Sequence, residues 1–72
     1  MKAYRYYCKY RPPMPGAIPR KGLKWIVDFD ERQSFDGVEC WGYVYYDREL
    51  TEREVREYEL RPKENNPIEY SE

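Results

Sequence analysis

Three observations predict an α+β fold: a three-stranded antiparallel sheet (β-β-β) followed by one short C-terminal helix packed on one face. Three runs rich in aromatic and β-branched residues are separated by turn-forming residues. A helix-start signal follows the third run. Proline bars helix from the long first connection and stops the helix at its end.

The first strand is read over residues 3–11. Tyr4, Tyr6, Cys8 and Tyr10 fall on one face; Arg5, Tyr7, Lys9 and Arg11 fall on the other. Residues 12–22 (PPMPGAIPRKG) hold four prolines and two glycines, which exclude helix and ladder. This loop reads as a stiff connector whose Met14 and Ile18 pack back on the domain.

The second strand is expected over residues 23–31, with Leu23, Trp25, Val27 and Phe29 alternating against Lys24, Ile26, Asp28 and Asp30. The first set is assigned to the core. Ser34-Phe35-Asp36-Gly37 supplies a turn, with Gly37 in the left-handed position of a type I turn with a bulge. That register sets Phe29 opposite Tyr43 and Val27 opposite Tyr45, so the core face is shared with Trp41, Tyr43 and Tyr45. A loop one residue different would exchange the faces.

The third strand, residues 38–47, is apolar on both sides. Thr51-Glu52-Arg53-Glu54 is a capping box, and Leu50 and Val55 stand at the hydrophobic-staple positions. Pro62 limits the helix to about two turns, too short to be stable alone. Residues 1–61 are therefore expected as a single domain, and residues 62–72 as a flexible acidic tail on which Ile68 and Tyr70 offer docking points.

Composition narrows the chemistry. Nine Tyr, two Trp and two Phe among 72 residues give a small chain large side chains to bury. The absence of histidine removes the commonest general base and metal ligand. Ser34, Thr51 and Ser71 are placed in a turn, a cap and a tail, without an activating base. Asp28, Asp30 and Glu39 have the spacing of part of a calcium loop, but Arg32 and Gln33 stand where a ligand and the obligatory glycine belong. No enzyme activity, cofactor or metal is expected. Cys8 and Cys40 read as reduced, buried thiols of a cytoplasmic protein, and no apolar window suits a membrane span or a signal peptide.

The net charge of −1 is unevenly spread. The first 25 residues carry seven cations and no acid; the remainder carries a net −8. Arg5, Lys9, Arg11, Arg20 and Lys21 form a candidate basic patch, interleaved with tyrosines in a way compatible with nucleic-acid binding. A two-turn helix covers only one face of such a sheet. The uncovered face is expected to show Tyr7, Ile26, Val44 and Tyr46 as an interaction surface.

Tyr10-Arg11-Pro12-Pro13, Pro15-Gly16-Ala17-Ile18-Pro19, Tyr46-Asp47-Arg48-Glu49-Leu50-Thr51 and Tyr58-Glu59-Leu60 carry a resemblance over residues 4–61. The chain resembles small proteins of conjugative elements, plasmids and phages of Gram-positive gut anaerobes, some of them related to defence-against-restriction proteins. The resemblance implies an accessory of mobile DNA that antagonises a host defence. It implies no catalytic residues. Combined with the aromatic surface, it suggests a non-enzymatic module binding a host protein or itself. The alternative is a small nucleic-acid-binding domain using the basic first strand.

Overall fold

The computed structural model describes residues 2–69. The elements are β1 (Lys2–Cys8), β2 (Leu23–Phe35), β3 (Val38–Tyr46), α1 (Glu52–Glu57), β4 (Leu60–Pro62) and β5 (Ile68–Glu69). The fold is α+β, with an antiparallel sheet of five strands in the order β2-β3-β1-β4, and β5 beside β4 on the same edge of β1. The expected three strands and short helix are present. The helix is not the last element, because two short strands follow it.

β5, and Pro62 at the end of β4, come from the stretch read as a tail; Leu60 and Arg61 close the expected domain. Leu60–Pro62 pairs with Tyr6, Tyr7 and Cys8, and Ile68–Glu69 pairs with Lys2 and Ala3. The Asn66 side chain joins them. Its Oδ1 accepts from the Arg5 N–H (3.1 Å) and its Nδ2 donates to the Arg5 carbonyl (3.0 Å), while the Lys63 N–H reaches the same carbonyl. An amide side chain thus replaces a ladder partner and leaves no gap along β1. Tyr70, the other expected docking point, lies outside the described residues.

β2 and β3 turn at Asp36-Gly37, which have φ of 54° and 74°. Two successive positive φ values mark a two-residue type I′ hairpin, in place of the expected bulged turn. Phe35 consequently pairs with Val38. Farther along, β2 advances five residues, from Asp28 to Gln33, where β3 advances only two, from Gly42 to Cys40. Asp30 takes a positive φ inside this bulge, and its N–H bonds the Asp28 carboxylate. The excess is odd, so it exchanges the faces. Before the bulge Trp25 faces Tyr45 and Val27 faces Tyr43, two positions from the expected register.

The main core lies on the face of Tyr6, Cys8, Val44 and Tyr46, with Ile18, Leu50 and Leu60 packed on it. Val55 and Tyr58 bring the helix end against it. Two elements therefore cover this face. The proline loop supplies buried Pro13, Ile18 and Pro19, and the α1–β4 segment supplies the rest. The loop's tip, Met14-Pro15-Gly16-Ala17, closes with an Ala17 N–H to Met14 carbonyl bond. With proline second and glycine third at φ 89°, it is a type II turn.

Gly42 lets the loop pass. A Cβ there would lie 2.2 Å from the Val27 carbonyl oxygen and 3.1 Å from the Pro13 ring. Its φ of 156° also disfavours a side chain. Gly42→Ala is expected to destabilise by more than ~1 kcal/mol, read as a lower urea midpoint.

The capping box forms as the sequence requires. The Glu54 N–H donates to Thr51 Oγ1 (3.1 Å) and the Thr51 N–H donates to the Glu54 carboxylate (2.9 Å). Thr51→Ala should therefore lower stability by about 1 kcal/mol. An unchanged midpoint would show that the cap contributes nothing.

Candidate interaction surface

The second face of the sheet is built from rings. Tyr45 packs on Trp25 (centroids 4.7 Å apart) and on Tyr43 (5.4 Å). Tyr43 stacks on Phe35 at 4.9 Å and meets Phe29 at 5.8 Å, and Phe35 leans on Tyr7 at 6.4 Å. Strand pairing places Tyr43 and Tyr45; the bulge folds Phe29 and Phe35 back onto them. Val38 and Cys40 complete a second, smaller cluster with Tyr7.

Arg5 lies over this row. Its guanidinium carbon is 4.8, 5.0 and 5.6 Å from the Tyr43, Tyr45 and Phe35 ring centres. It donates to the Tyr45 hydroxyl and to Asp36 Oδ2 (2.8 Å). The Tyr7 hydroxyl donates to the same carboxylate oxygen at 2.7 Å. A cation over aromatic faces gains more as water is removed, and the Arg5 side chain is only 15% exposed. Asp36, on the hairpin turn, is thereby locked to β1.

Of the surface expected from the sequence, only Ile26 is accessible. Tyr7, Val44 and Tyr46 are buried, whereas Ile26 is 40% exposed. Two coverings, one on each face, account for the difference. The loop and helix cover the face of Val44 and Tyr46, while the bulge folds rings over Tyr7. Trp25, assigned to the core, is 42% exposed, while Val27, Phe29 and Tyr43 are half-buried. The uncovered face is therefore the one carrying Trp25, Val27 and Tyr43.

The five cations of the expected basic patch are not gathered into one site. Arg5 is engaged over the rings, Arg11 pairs with Glu59, and the Lys9 ammonium sits over the Tyr10 ring. Arg20 and Lys21 lie exposed at the end of the loop, where the Lys21 carbonyl accepts from Arg48 (2.9 Å).

A groove of about 500 Å³ opens between α1 and β4, floored by Tyr10, Leu50, Val55 and Leu60 and edged by charges of both signs. Among the described residues, no three His, Cys, Asp or Glu side chains are placed to hold a metal ion. No described helix is long and apolar enough to cross a membrane. Cys8 and Cys40 are buried free thiols. Burial pushes the Cys8 thiol up to about 12 and raises that of Cys40, so both stay protonated and weakly nucleophilic at neutral pH.

With this geometry described, the chain can be placed among known proteins. It belongs to the family described as Defence against restriction A C-terminal, which matches residues 1–65. It is 33% identical over 66 residues to Defense against restriction protein A of Escherichia phage P1. That alignment covers 89% of this chain and 10% of the phage protein, so the chain spans about a tenth of its curated relative's length. No solved structure matches the chain. The resemblance carried by the loop and turn residues is thus borne out at the level of the family.

Two carboxylates give this architecture a pH dependence. The Tyr7 hydroxyl, then Arg5, holds Asp36 below its ordinary range. Arg48, with the Thr51 N–H, holds Glu54 down to about 2 against an ordinary 4.5. Both groups bind protons more readily in the unfolded chain. Their contribution is complete above about pH 5 and lost as pH falls towards 2. The slope of stability against pH in this window should flatten in the Asp36→Asn, Glu54→Gln double variant. A slope parallel to that of the parent would show that neither carboxylate is perturbed.

Proposed function

We propose that this unit is a non-enzymatic protein-interaction module of a mobile genetic element. It antagonises host restriction by holding a protein partner on the aromatic face of its sheet. Family membership supports the biological role. The observation that carries the mode of action is the row Trp25, Tyr43, Phe35 and Phe29, assembled around buried Tyr45. It lies on the face opposite the one packed by α1. Large, rigid rings give contact area at low entropic cost and dominate interface energetics.

Charge argues for a protein over a nucleic acid. Residues 23–46, the β2–β3 hairpin bearing this face, carry five acids (Asp28, Asp30, Glu31, Asp36 and Glu39) and two cations, Lys24 and Arg32. Phosphates would be repelled there, and Arg5 is already spent on the rings and Asp36.

The test is survival of unmodified plasmid or phage DNA in a restricting host that expresses the chain, together with capture of the host restriction enzyme. Protection is expected to fall at least ~10-fold for Trp25→Ala, the hot-spot scale, with capture resistant to nuclease and to ~200 mM salt. Protection that tolerates Trp25→Ala, with capture lost on nuclease treatment and in Arg20→Glu/Lys21→Glu, would replace this reading with nucleic-acid binding.

A further inference from the structure

The two edges of the sheet are treated differently by the chain. The β1 edge is closed by β4, β5 and the Asn66 amide. The other edge is β2, and among the described residues no strand pairs with its outer side. Sheet proteins usually blunt such an edge with proline, inward-pointing charge or an immediate bulge. Residues 25–28 of β2 hold no proline and no bulge: Trp25, Ile26, Val27 and Asp28 run in unbroken register with β3, and Asp28, the one charge among them, stands at the end of the run. The large bulge begins only after Asp28, and a smaller irregularity at Lys24 marks the other end. Ile26, on this open stretch, is 40% exposed.

We infer that the outer edge of β2 pairs with β2 of a second copy of this chain, antiparallel and centred on Ile26. Symmetry and charge select that register. A two-fold axis normal to the sheet keeps each residue on its own face, so only registers pairing residues of like parity are allowed. Centring on Ile26 sets Ile26 against itself, Trp25 beside Val27 twice, and Lys24 across from Asp28 twice. Centring on Val27 sets Ile26 against Asp28, and centring on Asp28 sets two carboxylates together, which destabilises. Centring on Trp25 leaves Lys24 across from Ile26 with no acid opposite. The Val27 register also opposes Lys24 to Asp30, but only across the bulge that begins after Asp28, and it sets Ile26 against a carboxylate. The Ile26 register joins aliphatic to aliphatic, with unlike charges at both ends and no apolar side chain against an acid.

Lys24 is available for this role. Its ammonium is 3.4 Å from Asp47, but both side chains are over 40% exposed, and an exposed ion pair of this kind holds little energy. The carboxylate of Asp28 caps the Asp30 N–H and keeps acceptor capacity for an ammonium. The product is one continuous sheet in which β2 meets β2, with both aromatic faces on the same side. Two copies of the partner surface would then act together, which multiplies apparent affinity without new contacts. The pairing uses the strand edge, and the aromatic face remains available, so dimerisation and capture of a partner can be measured separately.

Sedimentation of the full chain from about 10 µM to about 1 mM tests the inference. The mass should rise towards twice 8.9 kDa. Ile26→Lys, which sets two ammonium groups together, should hold the chain monomeric with an unchanged far-ultraviolet circular dichroism spectrum. Lys24→Glu and Asp28→Lys should each weaken association at least ~10-fold, and the Lys24→Glu/Asp28→Lys double variant should restore it, because both symmetry-related pairs are then reversed. A monomer at every concentration overturns the inference. A dimer that survives Ile26→Lys, or a double variant no better than the singles, also overturns it.

Discussion

Two buried tyrosines, Tyr6 and Tyr46, hold the parts of this molecule in register. They sit side by side on β1 and β3, rings edge to face with centroids 5.9 Å apart. The Tyr46 hydroxyl donates to the Pro19 carbonyl at 2.6 Å, and the Tyr6 hydroxyl accepts the Leu50 N–H at 2.8 Å. One bond ties the proline loop to the sheet; the other ties down the lead into the helix. Burying such rings gives roughly 4–6 kcal/mol each as an upper estimate. A hydroxyl bond adds only about 0.5–1.5 kcal/mol net. The rings therefore supply stability, and the hydroxyls decide what lies over them. Neither irregular segment has a ladder to satisfy its backbone, so a buried phenol is the group that allows it to be buried at all.

This arrangement determines which face remains for function. Loop and helix both go to the tyrosine-pinned face, leaving the row of rings on the other face to Arg5. Arg5 links three strands at once: it sits on β1, stacks on Tyr43 and Tyr45 of β3, and pairs with Asp36 at the end of β2. A lysine would supply the charge but not the planar stacking or the forked donors. The face is thus ordered from within, which lowers the entropic cost of presenting it to a partner.

Much of this was legible in the sequence. The capping box at Thr51, the existence of three long strands and the relation to defence-against-restriction proteins all rest on local signals, and all appear in the structure or the family match, although β1 stops at Cys8 and β2 runs on to Phe35. The expected surface was not legible. Val44 and Tyr46 have the same alternation as an exposed aromatic set, and burial came from a loop that local rules describe only as irregular. The short pairing of Leu60–Pro62 and Ile68–Glu69 was hidden for a similar reason. Three- and two-residue strands flanking prolines have no periodicity to read, and the Asn66 bridge exists only once β1 is beside it. A partial signal did exist in Gly42, a glycine inside an aromatic strand, which marks a crowded position: the Val27 carbonyl of β2 and the Pro13 ring of the loop both close on it.

The sequence by itself determined the local conformations: extended where aromatic and β-branched residues alternate, helical for two turns after Thr51, stiff through the prolines. These depend on φ and ψ preferences and on neighbours a few residues away. Tertiary structure decided the faces. A bulge that adds an odd number of residues between Asp28 and Gln33 reverses inside and outside along the rest of β2, and strand parity has a period of two residues, so a single uncounted residue is enough to exchange them. Whether the bulge is accommodated is settled by what packs across it: the rings of Phe29, Phe35 and Tyr43, brought together on the two strands of one hairpin.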